Sequence, residues 1–98
     1  MSRPPRLDDA TIAAKLRGLP GWSRRGEAIT RTFTFGGFPQ AVEFVDRLVE
    51  PAESLNHHPD VDLRYNRVIV ALSTHDQGGL TDLDFALAAL IDGAVGAR

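Results

Sequence analysis

Val61-Asp62-Leu63-Arg64-Tyr65-Asn66-Arg67-Val68-Ile69-Val70-Ala71-Leu72 carries two alternating runs back to back. Val61, Leu63 and Tyr65 fall on one side of the first run, and Val68, Val70 and Leu72 on one side of the second. A period of two in β-branched and apolar residues is the pattern of a strand with one buried face. Asn66-Arg67 between the runs reads as a tight hairpin turn, and Ile69, Ala71, Ser73 and His75 point to the other side of the second strand.

Upstream, residues 28–35 repeat the pattern. Ile29, Phe33 and Phe35 share one face with Arg31, and Thr30, Thr32 and Thr34 take the other. A short extended segment from Trp22 precedes this strand across the turn Arg25-Gly26-Glu27, which makes a second hairpin. Between the two hairpins the period changes to that of a helix. Ala41, Phe44, Val45, Leu48, Ala52 and Leu55 form an apolar stripe, and Pro39 suits the first turn. Pro51 interrupts this helix, since it lacks a backbone donor and crowds the carbonyl of Arg47, so a kink or break is expected.

The two ends of the chain also read as helices. Asp8 caps the first and Leu7 staples onto Ile12, with Ile12, Leu16 and Leu19 at helical spacing and Leu19-Pro20-Gly21 as a breaker. Thr81 opens the last with Asp84 at the capping-box position, and Leu83, Leu87, Leu90, Ile91 and Ala94 line it. Residues 1–6, with two prolines and two arginines, read as a loose tail ahead of a single domain over 7–98. The predicted fold is α+β in the order α-β-β-α-β-β-α, a four-stranded antiparallel sheet with three helices on one face.

Composition narrows the function. The chain has 98 residues, 43% of them hydrophobic, and a net charge of −2, which suits one domain with an ordinary surface. No basic stripe marks a nucleic-acid binder, and no apolar run is long enough to span a membrane. The first residues, Met-Ser-Arg-Pro-Pro-Arg, lead into no apolar stretch, so no signal peptide is expected and the cytoplasm is the default location. With no cysteines there is no thiolate nucleophile and no cysteine-based zinc site.

The chemistry concentrates in Glu53-Ser-Leu-Asn-His57-His58-Pro59 and in His75. These are all three histidines of the chain. Histidine titrates near neutral pH and serves proton transfer or metal binding. Pro59 ends the helix, so a short turn can aim both rings into a cleft. If the strand ending at His75 lies alongside, three imidazoles converge. Glu53, four residues before His57, would face it on a helical turn and orient it. Isolated loop histidines are the plainer reading, but an adjacent pair before a proline with a third nearby favours a site. Zinc is disfavoured because adjacent side chains rarely converge on one ion. Asp84 reads first as a helix cap, Trp22 as core or interface, and Tyr65 as a sheet residue with its hydroxyl at the rim.

Taken together, Glu53, His57-His58-Pro59, Tyr65, His75 and Asp84 resemble the site pattern of the pterin-4a-carbinolamine dehydratases. Three residues separate Glu53 from His57, five Pro59 from Tyr65, nine Tyr65 from His75 and eight His75 from Asp84. The resemblance runs over nearly the whole chain, including the stretch ending in Trp22. It implies dehydration of 4a-hydroxytetrahydropterin to quinonoid dihydropterin, in recycling of tetrahydropterin, with no metal or organic cofactor. It further implies that His57 and His75 are the acid–base pair and that His58 chiefly binds the pterin. Glu53, Asp84 and Trp22 would complete the substrate site. It also implies a homodimer or homotetramer. An alternative is a protein-binding partner of the same fold, a transcriptional coactivator or an assembly factor.

Overall fold

In the computed structural model, which describes residues 4–96, the chain forms α1 (Asp9–Leu16), β1 (Ser23–Arg25), β2 (Ala28–Thr34), α2 (Phe38–Arg47), α3 (Val49–Leu55), β3 (Asp60–Arg64), β4 (Arg67–Leu72), a 3-10 turn (His75–Gln77) and α4 (Asp82–Gly96). The predicted order holds, with the middle helix in two pieces. The break falls at Leu48, where α2 ends and α3 begins. Pro51 lies within the first turn of α3 and has no N–H to bond the Arg47 carbonyl, so the i→i−4 ladder lapses there.

The four strands form one antiparallel sheet in the order β1-β2-β4-β3. The two hairpins therefore meet through their second strands, with Phe33 opposite Val68 and Arg31 opposite Val70. Alternation sorts the side chains as expected. Ile29, Phe33, Val68, Val70 and Leu72 are buried and join Ile12, Ala41, Phe44, Leu48, Leu87, Ala88 and Ile91 of the helices in one core. Phe44 anchors it, its ring 4.7 Å from that of Phe33 and 5.1 Å from that of Phe35. Burying such a side chain contributes about 1.5–3 kcal/mol. Arg31 tolerates the inner face because its guanidinium sits 4.5 Å over the Phe33 ring and donates to Asp92 at 2.8 Å.

Several boundaries differ from the sequence reading. The β3–β4 turn is Tyr65-Asn66, with Arg64 paired to Arg67, so Tyr65 leaves the strand. Asn66 sets this register: its carbonyl accepts from the Phe35 N–H at 2.9 Å and its side-chain amide donates to the Phe35 carbonyl at 3.0 Å. Strand β4 stops at Leu72. Thr74 then bridges Gly79, and Gly78 closes the loop between them at φ +75°. His75 consequently opens a 3-10 turn instead of ending a strand. In α4, Leu90 faces outward, and Phe85 and Ala88 fill the core beside Leu87 and Ile91.

Residues 1–3 of the expected loose tail lie outside the described residues. The rest of it is tied down: the Pro4 carbonyl accepts from Gln77 at 2.9 Å and Arg6 pairs with Glu27 at 2.8 Å. The Leu7 N–H bonds the Leu80 carbonyl at 2.8 Å. Asp8 caps α1 by accepting from the Thr11 N–H at 2.8 Å. Hydrogen bonding from Thr11 holds its carboxyl below the usual carboxylate range.

Candidate active site

The histidine pair sits where α3 runs out. Asn56 takes the left-handed conformation, φ +47°, and the His57 N–H reaches back to the Ala52 carbonyl at 3.0 Å. This C-terminal cap turns the chain sharply and sends the two rings different ways. His57 goes inward and keeps 5% of its surface exposed. His58 stays outside.

That turn overrides the i,i+4 expectation for Glu53. Because Asn56 leaves the helical path, it is His58, not His57, that meets Glu53, with Nε2 2.6 Å from Oε2. His57 pairs with Asp84 instead, Nε2 lying 2.6 Å from Oδ1. Asp84 is completely buried. It also completes the expected capping box, its Oδ2 accepting from the Thr81 N–H at 2.9 Å. The same Oδ2 accepts from the Thr74 hydroxyl at 2.9 Å. One carboxylate thereby joins the His57 turn, the Thr74-His75 loop and the first turn of α4.

His75 follows Thr74 but projects outward. Its side chain is 81% exposed and its Nε2 lies 3.9 Å from Asp60 Oδ2. Asp60, at the head of β3, is a site neighbour that the sequence reading did not single out. His58 and Glu53 border a cleft of about 230 Å³ whose floor is Val45, Leu48, Val49 and Ala52. An apolar floor under two hydrogen-bonding side chains suits a flat, polar-edged small molecule. A larger hollow of about 510 Å³ lies elsewhere, between α3 and α4, and contains no histidine.

Two expectations change in place or role. Trp22 is buried at 4% exposure, its indole N–H donating to Asp92 at 3.0 Å and its ring edge-on to Phe33. Its burial and its engaged indole donor make it a packing residue of the core. Tyr65 stands at the hairpin tip, 70% exposed. The three imidazoles take three separate carboxylate partners, Asp84, Glu53 and Asp60, instead of clustering. Among the described residues no three His, Asp or Glu side chains are grouped to hold a metal ion. Thr74 and Thr81 escaped the sequence reading as site residues. The only signal was their closeness to His75 and Asp84.

Comparisons with known proteins agree on one family. The family model described as Pterin 4 alpha carbinolamine dehydratase matches residues 5–94. A protein of Thermomicrobium roseum with the provisional name pterin-4-alpha-carbinolamine dehydratase is 54% identical over 83 residues, 85% of this chain and 89% of its own. A Chloroflexus aurantiacus protein of the same provisional name is 53% identical over 92 residues, 94% of this chain and 99% of its own. Among solved structures, the transcriptional coactivator/pterin dehydratase of Brucella melitensis superposes with a TM-score of 0.86 at 40% identity, covering 91% of this chain and 97% of that one. A pterin dehydratase-like protein identified as a RuBisCO assembly factor in the alpha-carboxysome gives 0.66 at 25% identity, over 78% of this chain and 90% of that one.

Proposed function

Since the chain belongs to the pterin 4 alpha carbinolamine dehydratase family, we propose that it is a carbon–oxygen lyase that dehydrates 4a-hydroxytetrahydropterin to quinonoid dihydropterin by histidine acid–base catalysis. The observation that carries this reading is the buried pair of His57 and Asp84, 2.6 Å apart, with the next residue in the chain, His58, bordering an open cleft.

The reaction breaks the C4a–OH bond. The hydroxyl is a poor leaving group until it takes a proton and departs as water, and a ring nitrogen of the pterin gives up a proton as the C=N bond forms. One histidine in its protonated form can supply the first proton, and one in its neutral form can take the second. His57 and His75 are assigned these roles. His58, steadied by Glu53 at the mouth of the cleft, is assigned to pterin binding. Asp84 is assigned to hold His57 in a fixed orientation. The reaction follows the step in which a hydroxylase uses tetrahydropterin, and we place it in the cytoplasm.

The deciding measurement is the rate at which purified protein dehydrates 4a-hydroxytetrahydropterin. The expected result is a rate well above the uncatalysed background. A rate equal to that background would favour the second reading, a protein-binding partner. That alternative has its own support in the structural neighbour that is an assembly factor and in the open edge of β3, where all five residues are exposed. The same edge is the proposed contact of a homodimer or of the dimers within a homotetramer, since an uncovered strand invites pairing with another chain.

A further inference from the structure

We propose that Thr74 and Thr81 are positioning residues which, through Asp84, fix the proton of neutral His57 on Nε2 and leave Nδ1 as the nitrogen that exchanges a proton with the pterin. This rests on the dehydratase reading of the site.

The direction of every hydrogen bond in the cluster follows from counting protons. Asp84 as a carboxylate accepts only. Its Oδ2 takes the Thr81 N–H and the Thr74 hydroxyl, both at 2.9 Å. Thr74 has one hydroxyl proton, and Asp84 receives it. Its oxygen, 2.8 Å from the Thr81 oxygen, must therefore accept from the Thr81 hydroxyl. Thr81 in turn accepts from the Leu83 N–H at 3.2 Å. The chain runs one way, from the first turn of α4 through two hydroxyls to the carboxylate.

With Oδ2 holding two donors, Oδ1 faces His57 Nε2 at 2.6 Å, where only a donor fits. A neutral imidazole carries one N–H, so Nδ1 bears the lone pair. Thr74, Thr81 and Asp84 are at most 1% exposed. Burial keeps bulk solvent from these bonds, and the low dielectric strengthens them. Among the described residues the buried side-chain nitrogen lacking a partner is Arg47 Nη1, so Nδ1 of His57 is not sealed away in that manner. The strip of His57 that remains exposed is where it can meet a ligand.

The test combines two readouts. In protein with nitrogen-15-labelled histidine, at a pH where the ring is neutral, the His57 signals should show Nε2 protonated and Nδ1 bare. Thr74→Val, which keeps the shape and removes the hydroxyl, takes one of the two donors from Oδ2, frees the carboxylate to turn away from Nε2 and should therefore give a mixture of tautomers. It should also lower kcat roughly tenfold, the value of one hydrogen bond, with KM little changed. Thr74→Ser should restore both. If Thr74→Val fails to fold, Thr81→Val examines the chain one link back and should show a smaller shift of the same kind. A wild-type His57 protonated on Nδ1, or a Thr74→Val protein with the wild-type tautomer and rate, would overturn the proposal. An inactive wild type with the expected tautomer shift would remove the dehydratase reading and leave the positioning chain standing.

Discussion

At the scale of single residues, burial separates two histidines that are neighbours in the chain. His57 is enclosed and held by a carboxylate that no solvent reaches, whereas His58 and Glu53 form an exposed pair at the cleft. Exposed ion pairs contribute little to stability, so Glu53→Gln should leave the melting temperature nearly unchanged. Removing Asp84 should act differently. Asp84→Ala leaves the Thr74 hydroxyl, the Thr81 N–H and the His57 ring without their acceptor, and chemical denaturation should register a loss of about 3 kcal/mol. For the chemistry, His57→Ala or His75→Ala should slow dehydration roughly 10²-fold or more with the circular dichroism spectrum intact. Full activity in both variants would remove the acid–base assignment.

At the scale of elements, the site depends on how α3 stops. Asn56 at φ +47° is the hinge that separates the two imidazoles. An alanine there meets the steric cost of the left-handed region, while glycine does not. Urea melts should accordingly place Asn56→Ala about 1 kcal/mol below wild type and Asn56→Gly close to it. The N-terminal cap of α1 has a pH signature. Hydrogen bonds from Thr11 depress the folded-state pKa of Asp8, so its contribution is present above the unfolded-state value. It is lost as pH falls through the lowered folded-state value. Asp8→Ala should thus melt below wild type at neutral pH, with the gap closing in acid.

The whole molecule leaves its apolar inner face incompletely covered. Val61 and Leu63 lie opposite Val70 and Val68 across β3 and β4, yet they remain 39% and 36% exposed because α2 covers the sheet edge only in part. Val49, Val42 and Phe38 are exposed on the helical side. This is the surface a second copy would cover. Light scattering should give a mass above that of one chain, and Leu63→Lys, which places a charge on the edge, should shift it toward the monomer. A monomeric mass for the wild-type protein would end the assembly proposal.

The sequence by itself determined the element order, the two hairpins, the buried faces of β2 and β4, the break near Pro51 and the family. These are local properties, because a period of two or of 3.6 and the missing donor of a proline act between near neighbours in the chain. What it misjudged were boundaries and partners set at a distance. The turn at Tyr65-Asn66 follows from Asn66 gripping Phe35, 31 residues away, and His75 leaves its strand because Thr74 pairs with Gly79. Only the tertiary structure decided which carboxylate serves which histidine. Helical spacing pointed Glu53 at His57, but burial reversed it: an enclosed imidazole needs an enclosed acceptor, and packing α4 against the histidine turn brings Asp84 to it across 27 residues.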